Sequence, residues 1–151
     1  MPDSSAIDQA LVDTLLGDAT LMALMPDGVH VDEAPKGATQ KKQFVIVSLV
    51  DAHDTPIFEG RGSETALYLV KAVELSTVAV KNIKAAAARI DALLDPQPPA
   101  ARTTLTIAGY HHQLLRRESR VRMTEVDDVD ASIRWQHRGG RYQVIVAPIG
   151  T

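Results

Sequence analysis

The side chains able to do chemistry in this chain fall into four groups, and none has the spacing of a catalytic or metal motif. Asp51, His53, Asp54 and Glu59 set carboxylates and an imidazole around the start of one polar stretch. A metal centre there would need three converging ligands with an open position, and a hydrolase would need a nucleophile held by an oriented base. No HExxH, GxSxG or GxxxxGK[ST] run accompanies these residues. A solvated loop is the expectation, with no catalytic centre, no metal and no cofactor. His111 and His112 are adjacent, and neighbouring side chains on a strand leave opposite faces, so the pair is not expected to chelate one ion. Glu125, Asp127, Asp128 and Asp130 look superficially like a calcium loop, but the glycine that such a loop needs at its sixth position is missing. An exposed acidic loop fits better.

The fourth group is the dense basic cluster Arg116, Arg117, Arg120 and Arg122. On an unbroken strand Arg116, Arg120 and Arg122 share a face and Arg117 opposes them. Such a row of guanidinium groups suits phosphate or carboxylate. Against nucleic acid stand a pI near 5.9, an aromatic content of 4% and the acidic run that follows the cluster. Carboxylates of neighbouring proteins are the expected counter-charges.

The elements that carry these groups are legible from periodicity. Ile7, Leu11, Val12, Leu15 and Leu16 recur at helical spacing over 6–16, Gly17 stops the helix, and Asp18 caps a short second one that ends before Pro26. Pro26-Asp27-Gly28 is a turn signal ahead of a short edge strand, Val29-His30-Val31. Residues 43–52 (QFVIVSLVDA) are apolar on both alternating sets, as a central strand covered on both faces would be. A second such strand spans 64–75. Between them, 53–63 reads as an exposed loop, longer than a hairpin requires, with Ile57 and Phe58 as an apolar tip followed by Arg61. Val80, Ile83, Ala87, Ile90 and Leu94 make one face of a helix over 76–94, which Pro96, Pro98 and Pro99 terminate. Strands are expected over 103–108 and, with a break, over 110–124. Two last strands over 131–137 and 142–148 are expected to turn at Gly139-Gly140. The fold class is therefore α+β, a mostly antiparallel sheet packed by two main helices and ending in a β-hairpin.

At 151 residues the chain has the size of a single domain, 1–151, and its 45% hydrophobic and 23% charged residues are an ordinary globular balance. No apolar run approaches the ~18 residues of a membrane span, and the acidic, polar start does not resemble a secretion signal, so a soluble, unexported protein is expected. The absence of cysteine excludes disulfides, thiolate metal sites and a cysteine nucleophile. Residues 1–75 carry 5 Lys/Arg against 12 Asp/Glu and 76–151 carry 11 against 7, so the halves are −7 and +4. That asymmetry suits head-to-tail association of copies.

Several phrases together resemble the tail-completion (tail-terminator) family of long-tailed bacteriophages and gene transfer agents, over residues 6–148. They are ALVDTLLGDATLMALMPDGVHVDEAPKGA, QFVIVSLVDA, ALYLVKAVELSTVAVKNIKAAAARIDALLD and the closing RWQHRGGRYQVIVAP. The strand ahead of the second helix is more apolar, and the tail richer in arginine, than is usual in that family. The resemblance implies a structural virion protein at the neck. It would form a ring, usually of six copies, on the last ring of the tail tube, stop tube polymerisation and meet the head connector. DNA would only pass through the lumen, no membrane would be involved, and assembly would occur in the host cytoplasm. Ile57, Phe58, Arg61, Arg116, Arg120 and Arg122 are the expected interface residues. A neck or head-completion protein is the nearest alternative, and a small enzyme or ligand-binding module using the 51–59 stretch a more distant one.

Overall fold

The computed structural model describes residues 5–34, 42–57, 60–75 and 81–149. In chain order the elements are α1 (Ser5–Leu16), α2 (Ala19–Leu24), β1 (Val29–Val31), β2 (Gln43–Ile57), β3 (Gly60–Leu75), α3 (Lys81–Leu94), β4 (Tyr110–Val126) and β5 (Arg134–Pro148). The strands form one sheet in the order β1-β2-β3-β5-β4. Only the β1–β2 pairing is parallel. The expected α+β class, the edge strand and the closing hairpin are all present.

The helices lie on one face of the sheet. Ile7, Leu11 and Leu15 of α1, Leu21 of α2, and Ile83, Ile90 and Leu94 of α3 are buried against Val45, Val47, Tyr68, Val70, Ala72 and Val144. Burying an apolar stripe of each helix on the sheet is what holds the two layers together. On α3 the small residue that packs inward is Ala86; Ala87, expected on that face, is only half-buried. Val80 and the expected cap at Ser76 or Thr77 lie outside the described residues. Glu74 on β3 serves the start of α3. It is 1% exposed, and its Oε2 accepts the Ile83 backbone N–H at 2.9 Å while Oε1 accepts from Gln43 Nε2 at 2.9 Å. A carboxylate beside the first turn of a helix satisfies an otherwise unpaired donor and the positive end of the helix dipole.

Local signals at the N-terminal end also held. The Gly17 N–H donates to the Asp13 carbonyl at 2.9 Å, and Asp18 accepts from the Leu21 N–H at 2.9 Å as the cap of α2. Asp18 does a second job, taking Arg89 of α3 in a forked pair at 2.7 and 2.8 Å. That guanidinium holds the Asp18 carboxyl below the usual carboxylate range. The turn forms with Gly28 at φ 90°, and the Asp27 carboxylate accepts the N–H groups of Lys42 and Gln43, tying the turn to the start of β2.

Four expectations fail. The 53–63 stretch is not a loop: β2 and β3 continue as a paired ribbon through Ile57↔Gly60. Nor is β2 covered along its length, since only residues 44–47 are buried and everything from Leu49 to Ile57 is exposed. And Gly139-Gly140 is not a turn but the middle of β5, with the β4–β5 connection at 127–133. The glycines there answer to space. A Cβ on Gly139 would lie 2.0 Å from the Val70 carbonyl oxygen, and one on Gly140 2.9 Å from that of Ser119. The 103–108 run forms no strand, only an isolated bridge between Ile107 and Tyr110.

Candidate assembly surfaces

The first surface is the outer part of the β2–β3 ribbon. The register skips Val50, and beyond that bulge the described side chains of β2 leave the core. Asp51 and His53 share a face, opposite Leu67 and Thr65, while Asp54 lies on the other face opposite Glu64. Strand alternation thus separates the groups that sequence proximity suggested as a site. Glu59 and Phe58 lie outside the described residues, as does the side chain of Arg61. Among the described residues no group of three or more His, Asp or Glu comes together as a metal site. Ile57, at 58% exposure, stands in water near the end of the ribbon.

The second surface lies where α3 crosses β4 and β5. Two bulges interrupt β4, between His112 and Leu114 and between Arg117 and Ser119. The second reverses the alternation that the sequence implied. Arg117 faces Tyr142, Arg120 faces Gly140 and Arg122 faces Arg138, all on the helix side of the sheet, while Arg116 pairs with Gln143 on the opposite side and donates to its Oε1 at 2.9 Å. The cluster is therefore Arg117, Arg120 and Arg122, with Arg116 excluded. Arg138 from β5 and Lys84 from α3 join it around a cleft of about 520 Å³, whose apolar part comes from Ala87 and Ala88. Sequence reading missed Lys84 and Arg138, and the bulge at Glu118 had no signal in residue type. The glycines at 139 and 140 were the visible hint that something approaches β5 closely.

Charge in the cleft is uneven. Arg117 Nη1 bonds Asp91 Oδ2 at 2.7 Å, and the Tyr142 hydroxyl donates to Asp91 Oδ1 at 3.0 Å. Burial, with Asp91 beside it, pushes the Tyr142 ionisation well above the ordinary phenol range. Arg102 is likewise paired with Asp95 at 2.7 Å. Among the described residues Lys84, Arg120, Arg122 and Arg138 have no carboxylate partner. Four cations in search of anions therefore line one side of an open cleft.

A smaller feature sits on the uncovered face of the sheet. His137 is 5% exposed, its Nε2 3.0 Å from Glu125 Oε2 and its Nδ1 buried without a partner. Burial, with Lys71 nearby, lowers its pKa, and burial lowers that of Lys71. Phe44, Ile46, Val73 and Trp135 form a small apolar cluster on the same face. His111 and His112 diverge as expected, the first exposed and the second half-buried with a lowered pKa. No helix among the described residues is long and apolar enough to cross a membrane.

No protein-family model and no curated protein matches the sequence. Solved structures do share the fold. A chain of a native gene transfer agent virion particle is 21% identical, with 94% of this chain and 96% of that one covered at a TM-score of 0.60. A second solved chain, whose name states no function, is 10% identical over 99% and 97% of the two chains at a TM-score of 0.54. At such identities the likeness is one of fold, and it extends over nearly the whole of each chain.

Proposed function

We propose that this protein is a structural component of a phage-like particle, a ring-forming subunit that closes the end of a tail tube and joins it to the head connector. The observation that carries the reading is the shared fold, almost end to end, with a chain of a gene transfer agent virion. The phrases that resemble the tail-completion family run over the same elements. Two features of the surface support it: a ribbon that projects beyond the core with exposed apolar residues, and a cleft with unpaired cations on the opposite strand pair. Both are what assembly through several contacts needs.

The test is a particle assembly system lacking this chain. Overlong or headless tails, cured by adding the protein back, are expected. Normal-length tails with unfilled or leaking heads would point to a head-completion role instead, and normal particles would defeat both.

A further inference from the structure

We infer that the basic cleft between α3 and β4–β5 receives the acidic β4–β5 turn of a second copy of this chain. The turn carries Asp127, Asp128 and Asp130 around Val129, whose side chain is 95% exposed. It is built in advance. Asp127 Oδ2 accepts from the N–H groups of Val129 and Asp130 at 3.2 and 3.0 Å, and Asp130 Oδ1 accepts from the Ser132 N–H and hydroxyl at 3.0 and 2.7 Å. Backbone bonds from Asp127 to Ile133 and from Ile133 to Asp130 close it. A preorganised tip loses little entropy on docking. Asp128 is exposed and spends no oxygen on the turn, and Asp127 and Asp130 each keep one carboxylate oxygen for another donor.

The cleft supplies the complement. Ala87 and Ala88 offer an apolar wall for Val129, and Lys84, Arg120, Arg122 and Arg138 offer cations for three carboxylates. The two halves of this match cannot meet within one chain. Asp128 lies eight residues along β4 from Arg120, roughly 25 Å of extended strand, and folding back would break the β4–β5 ladder that pairs through Val126↔Arg134. The contact is therefore between copies and heterologous, the kind that generates rings or filaments. It deepens the ring reading and depends on it only in requiring that copies associate.

A chain without cysteine allows a direct test. Purified Val129→Cys/Ala88→Cys protein, mildly oxidised, is expected to give a ladder of covalent multimers, and a mixture of the two single variants a crosslinked dimer. Crosslinking no greater than in each single variant alone would overturn the proposal. So would capture of Ala88→Cys by Ile57→Cys on the ribbon instead, or a strictly monomeric protein. Arg120→Glu/Arg122→Glu and Asp128→Lys should each weaken self-association at least about tenfold without lowering the melting temperature. Combining Asp128→Lys with Arg122→Glu should recover part of the loss. Duplex DNA binding abolished by the arginine variants, with self-association intact, would assign the cleft to phosphate and refute the contact. Rings that form without the crosslink would sink this inference and leave the proposed function standing. Normal tails made without the protein would do the reverse.

Discussion

Of the three long antiparallel strand pairs, β3–β5 runs without a register shift, while β2–β3 and β4–β5 are interrupted by bulges, one of which in each pair has a different consequence. In β2–β3 the bulge at Val50 marks where β2 leaves the core: its side chains from 51 to 57 are exposed, while Ala66 and Glu64 on β3 opposite stay buried and paired to β5. In β4–β5 the bulge at Glu118 leaves the strands on the sheet but exchanges which residues face the helices, so the helix-side row of β4 passes from buried Leu115 to Arg117, Arg120 and Arg122. One extra residue thus ends the burial of β2 in one pair and redirects charge in the other. A bulge reaims every side chain after it because strand alternation has a period of two. The buried half of each pair should carry stability, and the half beyond each bulge should carry association.

The largest expected effect lies in the helix-backed half. Ile83→Asp puts a charge where α3 meets the sheet, a cost upward of about 4 kcal/mol against a typical total of about 5–15, and the variant should be insoluble or unfolded by circular dichroism. A native melt would show that α3 does not hold the sheet. Next comes Gly139→Ala. Its Cβ would meet backbone at 2.0 Å, so β3 and β5 must separate, at about 3 kcal/mol in urea unfolding. Should it be neutral, Gly139-Gly140 would have the freedom of a turn after all.

A third measurement separates the uncovered face of the sheet from the helix side. The His137 pKa is lowered in the fold from its ordinary 6.5, so the unfolded chain takes up a proton at a pH where the folded chain does not. Stability therefore falls as the pH drops through about 6.5, and this contribution levels off below the folded pKa. Each unit of depression corresponds to about 1.4 kcal/mol. His137→Gln should flatten that slope between pH 7.5 and 5.5 in urea titrations, leaving the share from His112, whose pKa is also lowered by burial. An unchanged slope would place the titration elsewhere.

The smallest effect on stability, and the clearest on assembly, is expected from replacing residues 54–61 by Gly-Ser. The side chains of 54–57 are exposed, and a ribbon end of this kind contributes little to folding, so the change should stay within about 1 kcal/mol. Under the proposed function, tail completion should nevertheless fail. Unfolding on this deletion would mean that the ribbon supports the core, and normal completion would move the assembly surface away from it.

Periodicity alone determined the helices over Ser5–Leu16 and Lys81–Leu94, the cap at Asp18, the inner stretch of β2 and the α+β class, because each depends on residues close along the chain or on one buried stripe. Composition likewise indicated opposite charge on the two halves. Tertiary structure decided the rest. The stretch 53–57 has Pro56 and polar residues that read as a loop, yet the β3 backbone opposite it completes a ladder. Gly139-Gly140 has the local chemistry of a turn, yet the close approach of Val70 and Ser119 makes it strand. The arginines changed partners through one unpaired residue at Glu118, and the cleft they line took Lys84 and Arg138 from elements 30 or more residues distant from each other in the chain. Local propensity cannot register such effects: a ladder hydrogen bond, a missing Cβ and a bulge are each set by the strand alongside, and that strand is chosen only when the sheet assembles.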